Sequence, residues 1–352
     1  MTQENSSLTQ LDIKKCRTGI VVAGFNACNH IVASLSAAMK TALPIVYADM
    51  ASVDDSVDFA RTLAKNYPLK VCELSIDKPL SRARASNEGA ALLLKNHPHL
   101  EFIQFMRVGC NLENGWIQLA QKTFDDHPRL GALAGLSFSK NKKGREVLQF
   151  VDLTQGYLSD LNGGDFIVRA NLLRQLKGFD EIPRLGFETE FMVRAKEEGF
   201  FARRSPDRMM TIEPAQARSF MKINSFFRQG YIQYYLIFKA PSARGRIIFL
   251  ARSVWVSFWT LWLPGATIGL GVWLSPQYFS LLWLYGILVF GFFIRRRLRI
   301  KTHEPRVQSL QHAVKMSIGF WTRLRGHFTA FRDLSTAETE KLFSMKGKRF
   351  TR

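Results

Sequence analysis

Thr18-Gly19-Ile20-Val21-Val22 running into Ala23-Gly24-Phe25-Asn26, and then Pro44-Ile45-Val46-Tyr47-Ala48-Asp49, are short apolar runs that close on small or polar residues. Runs of this kind suit strands covered on both faces, as in a parallel sheet. Two more follow at Leu69 to Leu74 and Phe102 to Met106. Between them lie helical patterns, Asn29 to Thr41, Val53 to Tyr67 and Ser81 to Lys95, the last opened by a serine suited to cap free N–H groups. The order β-α-β-α-β-α-β defines an α/β domain, with ligands expected at the carboxyl ends of the strands.

Further along, a helix is expected near Trp116 to Asp125, a strand near Leu130 to Phe138, and a polar hairpin or loop at Lys140 to Glu146. Asn162, Gly163, Gly164 and Asp165 then open an apolar run, Phe166 to Val168, followed by a helix through Leu176. The α/β domain is expected to span residues 18–240, with residues 1–17 a polar extension, and Pro241, Ser242 and Gly245 mark a linker. The polar stretch Met1 to Arg17 has no apolar core of a secretory signal, so the first domain is expected in the cytoplasm.

The chain has 352 residues and a formal net charge of +20, of which +14 falls from Ala240 onward. Between Ser253 and Ile294 lie 42 residues without a charge, about twice what one spanning helix of roughly 20 residues needs. Ser275, Pro276 and Gln277 interrupt the run, so a membrane helical hairpin over 253–294 is expected. A buried hairpin or a re-entrant one is the alternative. Arg244, Arg246 and Arg252 precede the run, and Arg295, Arg296, Arg297, Arg299 and Lys301 follow it. By the positive-inside rule both flanks, including a basic tail over 295–352, are expected on the cytoplasmic side of the membrane. Basic sequence beside an apolar run points to an anionic membrane surface, and no nucleic-acid motif accompanies it. Cys16, Cys28, Cys72 and Cys110 form no CxxC pair, which suits free thiols rather than a disulfide framework or a zinc site.

From about Thr18 to Tyr231 the chain resembles inverting family-2 glycosyltransferases of the GT-A nucleotide-diphospho-sugar transferase fold, most closely bacterial members that build envelope glycans or exopolysaccharides. The resemblance implies a mostly parallel sheet flanked by helices, a nucleoside diphosphate sugar donor, and a lipid-linked or glycan acceptor. Gly24, Phe25 and Asn26 fall where the family edges its nucleotide pocket. Asp49, followed by Ser52, Asp54, Asp55 and Ser56, matches the strand-end acid that reads the base; a loop residue is the plainer reading. In Ser81-Arg82-Ala83-Arg84-Ala85-Ser86-Asn87-Glu88-Gly89, similar to the family's Ala-Arg-Asn-x-Gly helix, Arg84 is either a diphosphate partner or a salt-bridged arginine.

Relatives place Asp-x-Asp where this chain has Arg107-Val108-Gly109, and those carboxylates hold the Mg²⁺ or Mn²⁺ that bridges the diphosphate. A further metal-binding His is replaced by Glu213 in Met210-Thr211-Ile212-Glu213-Pro214. The usual metal ligands are therefore absent. Arg107 is left either to neutralise the diphosphate itself or to form a salt bridge in a domain that no longer turns over.

Asn162-Gly163-Gly164-Asp165 resembles the family's Gly-Gly-Asp element, in which Asp165 binds sugar hydroxyls. Gly186-Phe187-Glu188-Thr189-Glu190 resembles its acidic helix start, which implies Glu188 as general base, with Phe187 in place of the usual first acid. Without the family pattern, Glu188 reads as an acid complementing a helix N-terminus. Arg228-Gln229-Gly230-Tyr231 resembles the Arg-x-Gly-Tyr helix, so that Arg228 reaches the leaving pyrophosphate or merely packs.

Overall fold

The computed structural model describes residues 16–140 except 79, then 146–148, 164–213 except 184, 222–258, 266, 268, 272–273 and 325–336. The chain divides into two compact units, Met1–Ser219 and Phe220–Arg352.

In the first unit the expected alternation is present: β1 (Thr18–Gly24), α1 (Cys28–Met39), β2 (Ile45–Asp49), α2 (Ser56–Ala64), β3 (Leu69–Glu73), α3 (Arg82–Asn96) and β4 (Phe102–Arg107). Strands β1 and β2 are buried at every position, as their uninterrupted apolar sequence requires. Alternate residues of β1 face opposite layers. Ile20 and Val22 join a core with Leu35, Tyr47, Trp116 and Phe124; Val21 and Ala23 join another with Phe105, Phe166, Phe179 and Phe191. Helix α3 starts as expected, with the Ser81 hydroxyl accepting from the Arg84 N–H at 3.1 Å.

Next come β5 (Cys110–Leu112), α4 (Trp116–Asp126), β6 (Leu130–Lys140), β7 (Glu146–Leu148), β8 (Phe166–Arg169), α5 (Ala170–Gln175), α6 (Phe187–Glu197) and β9 (Phe201–Ile212). The strands form one sheet in the order β3-β2-β1-β4-β8-β6-β9-β5, with β7 paired to β6. The expectation of a mostly parallel sheet is corrected. Only β3-β2-β1-β4 and the β6–β9 pair run parallel, while β8 lies antiparallel between β4 and β6, and the β5–β9 and β6–β7 pairs are antiparallel too. The polar stretch at 140–146 does separate two antiparallel strands, β6 and β7.

The second unit contains α7 (Lys222–Lys239), α8 (Ala243–Ser257) and a helix over 325–336, α9. The Arg-x-Gly-Tyr segment, grouped by sequence with the first domain, thus belongs to the second unit. The Tyr231 hydroxyl on α7 donates to Asp333 Oδ2 on α9 at 3.0 Å, and the ring of Tyr234 lies 5.6 Å from that of His327. Among the described residues no helix is long and apolar enough to cross a membrane; most of the expected hairpin over 253–294 lies outside them.

Candidate active site

The carboxyl ends of β1, β2 and β4 lie side by side, with Gly24 opposite Asp49 and Ala23 opposite Arg107. The antiparallel register of β4 on β8, Phe105 against Phe166, sets Arg107 level with the Gly164-Asp165 segment that enters β8. Asp165 is buried there, at 5 % side-chain exposure, and accepts from two arginines. Its Oδ1 takes the Arg107 backbone N–H at 3.0 Å and Arg82 Nη2 at 2.8 Å; its Oδ2 takes Arg107 Nε at 3.0 Å and Nη2 at 2.6 Å. Arg82 Nη2 also donates to the Gly164 carbonyl at 2.6 Å.

Two features favour glycine at 164. Its φ is +67°, and a Cβ would sit 2.6 Å from Arg82 Nη1. Burial alone would push the Asp165 carboxyl up, but the charges of Arg107 and Arg82 outweigh it and hold Asp165 below the usual carboxylate range. Burial likewise opposes the Arg107 charge, and Asp165 more than restores it. Cys110, beside Asp165, is pushed up to about 12 by burial and by that carboxylate, so it stays a thiol.

Glu188 sits in the first turn of α6 and is buried, and its charge acts on Arg82. Beside it Phe187, in place of an acid, packs edge-on against Phe179, with ring centroids 5.1 Å apart. Glu190, two residues on, is committed elsewhere: Arg194 Nε and Nη2 donate to its oxygens at 2.6 and 2.8 Å. The same guanidinium donates to the Leu176 and Gly178 carbonyls.

The loops at the carboxyl ends of β1 and β2 are equally organised. Asp49 Oδ1 accepts from the Tyr47 hydroxyl at 2.8 Å and the Ser52 hydroxyl at 2.7 Å, and its Oδ2 accepts from the Ser52 N–H at 2.7 Å. Asn26, at φ +46°, ties the β1–α1 loop to the β2–α2 loop: its N–H donates to Ser52 Oγ and its Oδ1 accepts from Val53 N–H. Asp54 accepts from the Cys28 N–H across the same gap and from the Ser56 N–H on its own side of it.

Arg84 is 2 % exposed, and its guanidinium donates to Glu88, to the Ser75 and Lys78 carbonyls and to the Ser75 hydroxyl. It holds the loop before α3. Arg82, two residues earlier, is the arginine of that helix that reaches the Asp165 centre, a role that sequence reading missed. The one signal was the i, i+2 spacing, since residues 200° apart on a helix face opposite ways. Gly163 lies outside the described residues; Arg228 lies on α7, and its side chain is likewise outside them.

A divalent cation does not fit these residues. A guanidinium stands at the strand end where carboxylates would bind it, Asp165 already bridges two arginines, and Glu213 pairs with His30. Glu213 is placed by its N–H, which donates to the Gly109 carbonyl at 2.8 Å, so residues 109 and 213 are brought together two residues from Arg107. Among the described residues no three His, Cys, Asp or Glu side chains cluster as a metal would need.

The sheet order, the helices on both faces and the site at the ends of β1, β2 and β4 define the GT-A fold. The chain is similar in structure to the mannosyltransferase PcManGT from Pyrobaculum calidifontis, solved with GDP-Man and Mn²⁺: TM-score 0.57 and 14 % identity over 89 % of this chain and 87 % of that one. It also matches S. aureus TarS 1–349 in complex with UDP (TM-score 0.49, 15 % identity, 92 % of each chain). A third match is glucosyl-3-phosphoglycerate synthase from Mycobacterium tuberculosis (TM-score 0.36, 12 % identity, 60 % of this chain and 76 % of that one). No family model and no curated protein matches the chain.

Proposed function

We propose that this protein is a glycosyltransferase that moves a sugar from a nucleoside diphosphate donor to a lipid-linked or envelope glycan acceptor, with inversion and without a divalent metal. The observation that carries this reading is the convergence of Arg82 and Arg107 on the single carboxylate of Asp165 at the carboxyl edge of a GT-A sheet. Two guanidiniums against one carboxylate leave a fixed positive charge where a diphosphate would leave. Arg82, 20 % exposed against 12 % for Arg107, is the more accessible of the two to phosphate oxygens. Asn26 and Asp49 shape the base end, Asp49 by fixing the Ser52 turn.

In the transfer itself, Glu188 takes the proton of the acceptor hydroxyl. The acceptor oxygen bonds to the anomeric carbon as the bond from that carbon to the diphosphate oxygen breaks, and the nucleoside diphosphate leaves with the electron pair. Isothermal titration with UDP-, GDP- and dTDP-sugars tests the reading. One of them should bind with the same affinity in EDTA as in Mn²⁺.

One observation favours a second reading, a scaffold that has kept the fold without turnover: Arg107 and Arg84 both spend their hydrogen bonds inside the protein. Absence of binding to every nucleotide sugar, with and without Mn²⁺, would establish that reading in place of the first.

A further inference from the structure

Helix α8 has a buried side and, opposite it, an exposed apolar one. Phe249 and Ser253 are buried, whereas Ile247, Leu250 and Val254 are 65, 49 and 59 % exposed. The spacing i, i+3, i+7 places those three within one stripe on the other side of the helix, and Phe258, 44 % exposed, continues it one turn on. A water-facing helix would carry polar residues there. Arg244 and Arg246 are exposed in the first turn of the same helix, and no acid occurs between Lys239 and Lys301. Apolar stripe, flanking arginines and missing carboxylates together match an interfacial helix on anionic lipid, not a protein face, which would pair some of that charge.

We infer that α8 lies in the plane of an anionic lipid surface, with Ile247, Leu250 and Val254 in the headgroup–acyl boundary and Arg244 and Arg246 on the phosphates. The packing of α7 on α9 supports this, because the chain before and after the uncharged stretch returns to one unit: Tyr231 meets Asp333, and Tyr234 meets His327. A single crossing would set those helices on opposite sides of the bilayer. The inference is independent of the proposed transferase activity.

A genetically encoded benzophenone residue at Ile247, Leu250, Val254 or Ile248 tests it in the full chain, reconstituted in phosphatidylcholine vesicles with and without phosphatidylglycerol. All four positions are exposed, so the fold should tolerate the label. Lipid adducts on irradiation should form at 247, 250 and 254, about tenfold more than at 248, which lies roughly 100°, 160° and 120° round the helix from them. Arg244→Glu with Arg246→Glu should reduce them when phosphatidylglycerol is present. Equal adducts at all four positions would overturn the inference. So would dimer bands on a gel at 247 and 254, which would make the stripe a contact between copies of this chain.

Discussion

Arg107 grips Asp165 twice, by its backbone N–H on one carboxylate oxygen and by Nε and Nη2 on the other. The two residues are 58 apart in sequence, and the pairing of β4 with β8 makes them neighbours. A cation carried by the protein thus stands at the carboxyl end of β4, with Asp165 as its counter-ion.

This geometry makes the pair structural as well as electrostatic. Arg107→Ala leaves Asp165 buried with one arginine instead of two, and removing one partner of a buried pair costs about 3–5 kcal/mol. Arg82 should soften that to about 3 kcal/mol in urea unfolding. A loss below about 1 kcal/mol would mean that water already reaches the pair.

Arg82 and Arg84 should separate in donor affinity, although Arg82→Ala also costs stability by leaving Asp165 with one arginine. Arg82→Ala is expected to weaken nucleotide-sugar binding by about one to two orders of magnitude, the value of a charge-assisted phosphate contact. Arg84→Ala should instead loosen the loop at Ser75 and Lys78, lowering the melting temperature while donor affinity in the surviving folded protein stays within about threefold. The reverse pattern would return the diphosphate role to Arg84.

For the acids of α6, Glu188→Gln should cut turnover about 10²–10⁴-fold with donor affinity nearly unchanged. Glu190→Gln should act on stability, because its partner Arg194 also holds the Leu176 and Gly178 carbonyls. A Glu190→Gln enzyme that folds normally but is inactive would move the base there.

Asp165 also sets an acid limit. Its folded value lies below the unfolded one of about 3.9, so the unfolded chain binds the proton first as pH falls. Stability from this group is therefore complete above about pH 5 and declines below about pH 4. The urea midpoint should be flat in the first range and fall in the second, with a shallower fall in Asp165→Asn. An equally steep fall in that variant would assign the acid limit to other carboxylates, Asp54 first, since Ser56 and Cys28 hold it down to about 2 even against its desolvation.

The first four strands and three helices were legible because their information is local: apolar runs of strand length, helical spacing, and a serine at the cap of α3. That positions 107 and 109 carry no carboxylate was equally plain, being a matter of residue identity. Strands β5 and β9 were not legible. Cys110–Leu112 is too short to carry a pattern, and Phe201–Ile212 includes Arg203, Arg204, Pro206, Asp207 and Arg208 within its span. Only pairing across the sheet makes them strands, and that pairing carries Glu213 to Gly109. Nor could sequence choose between Arg82 and Arg84, or say that Arg107 would turn toward Asp165. A side chain's type and position are written in the chain, but its partner is decided by register and burial, which exist only once β8 has been laid beside β4.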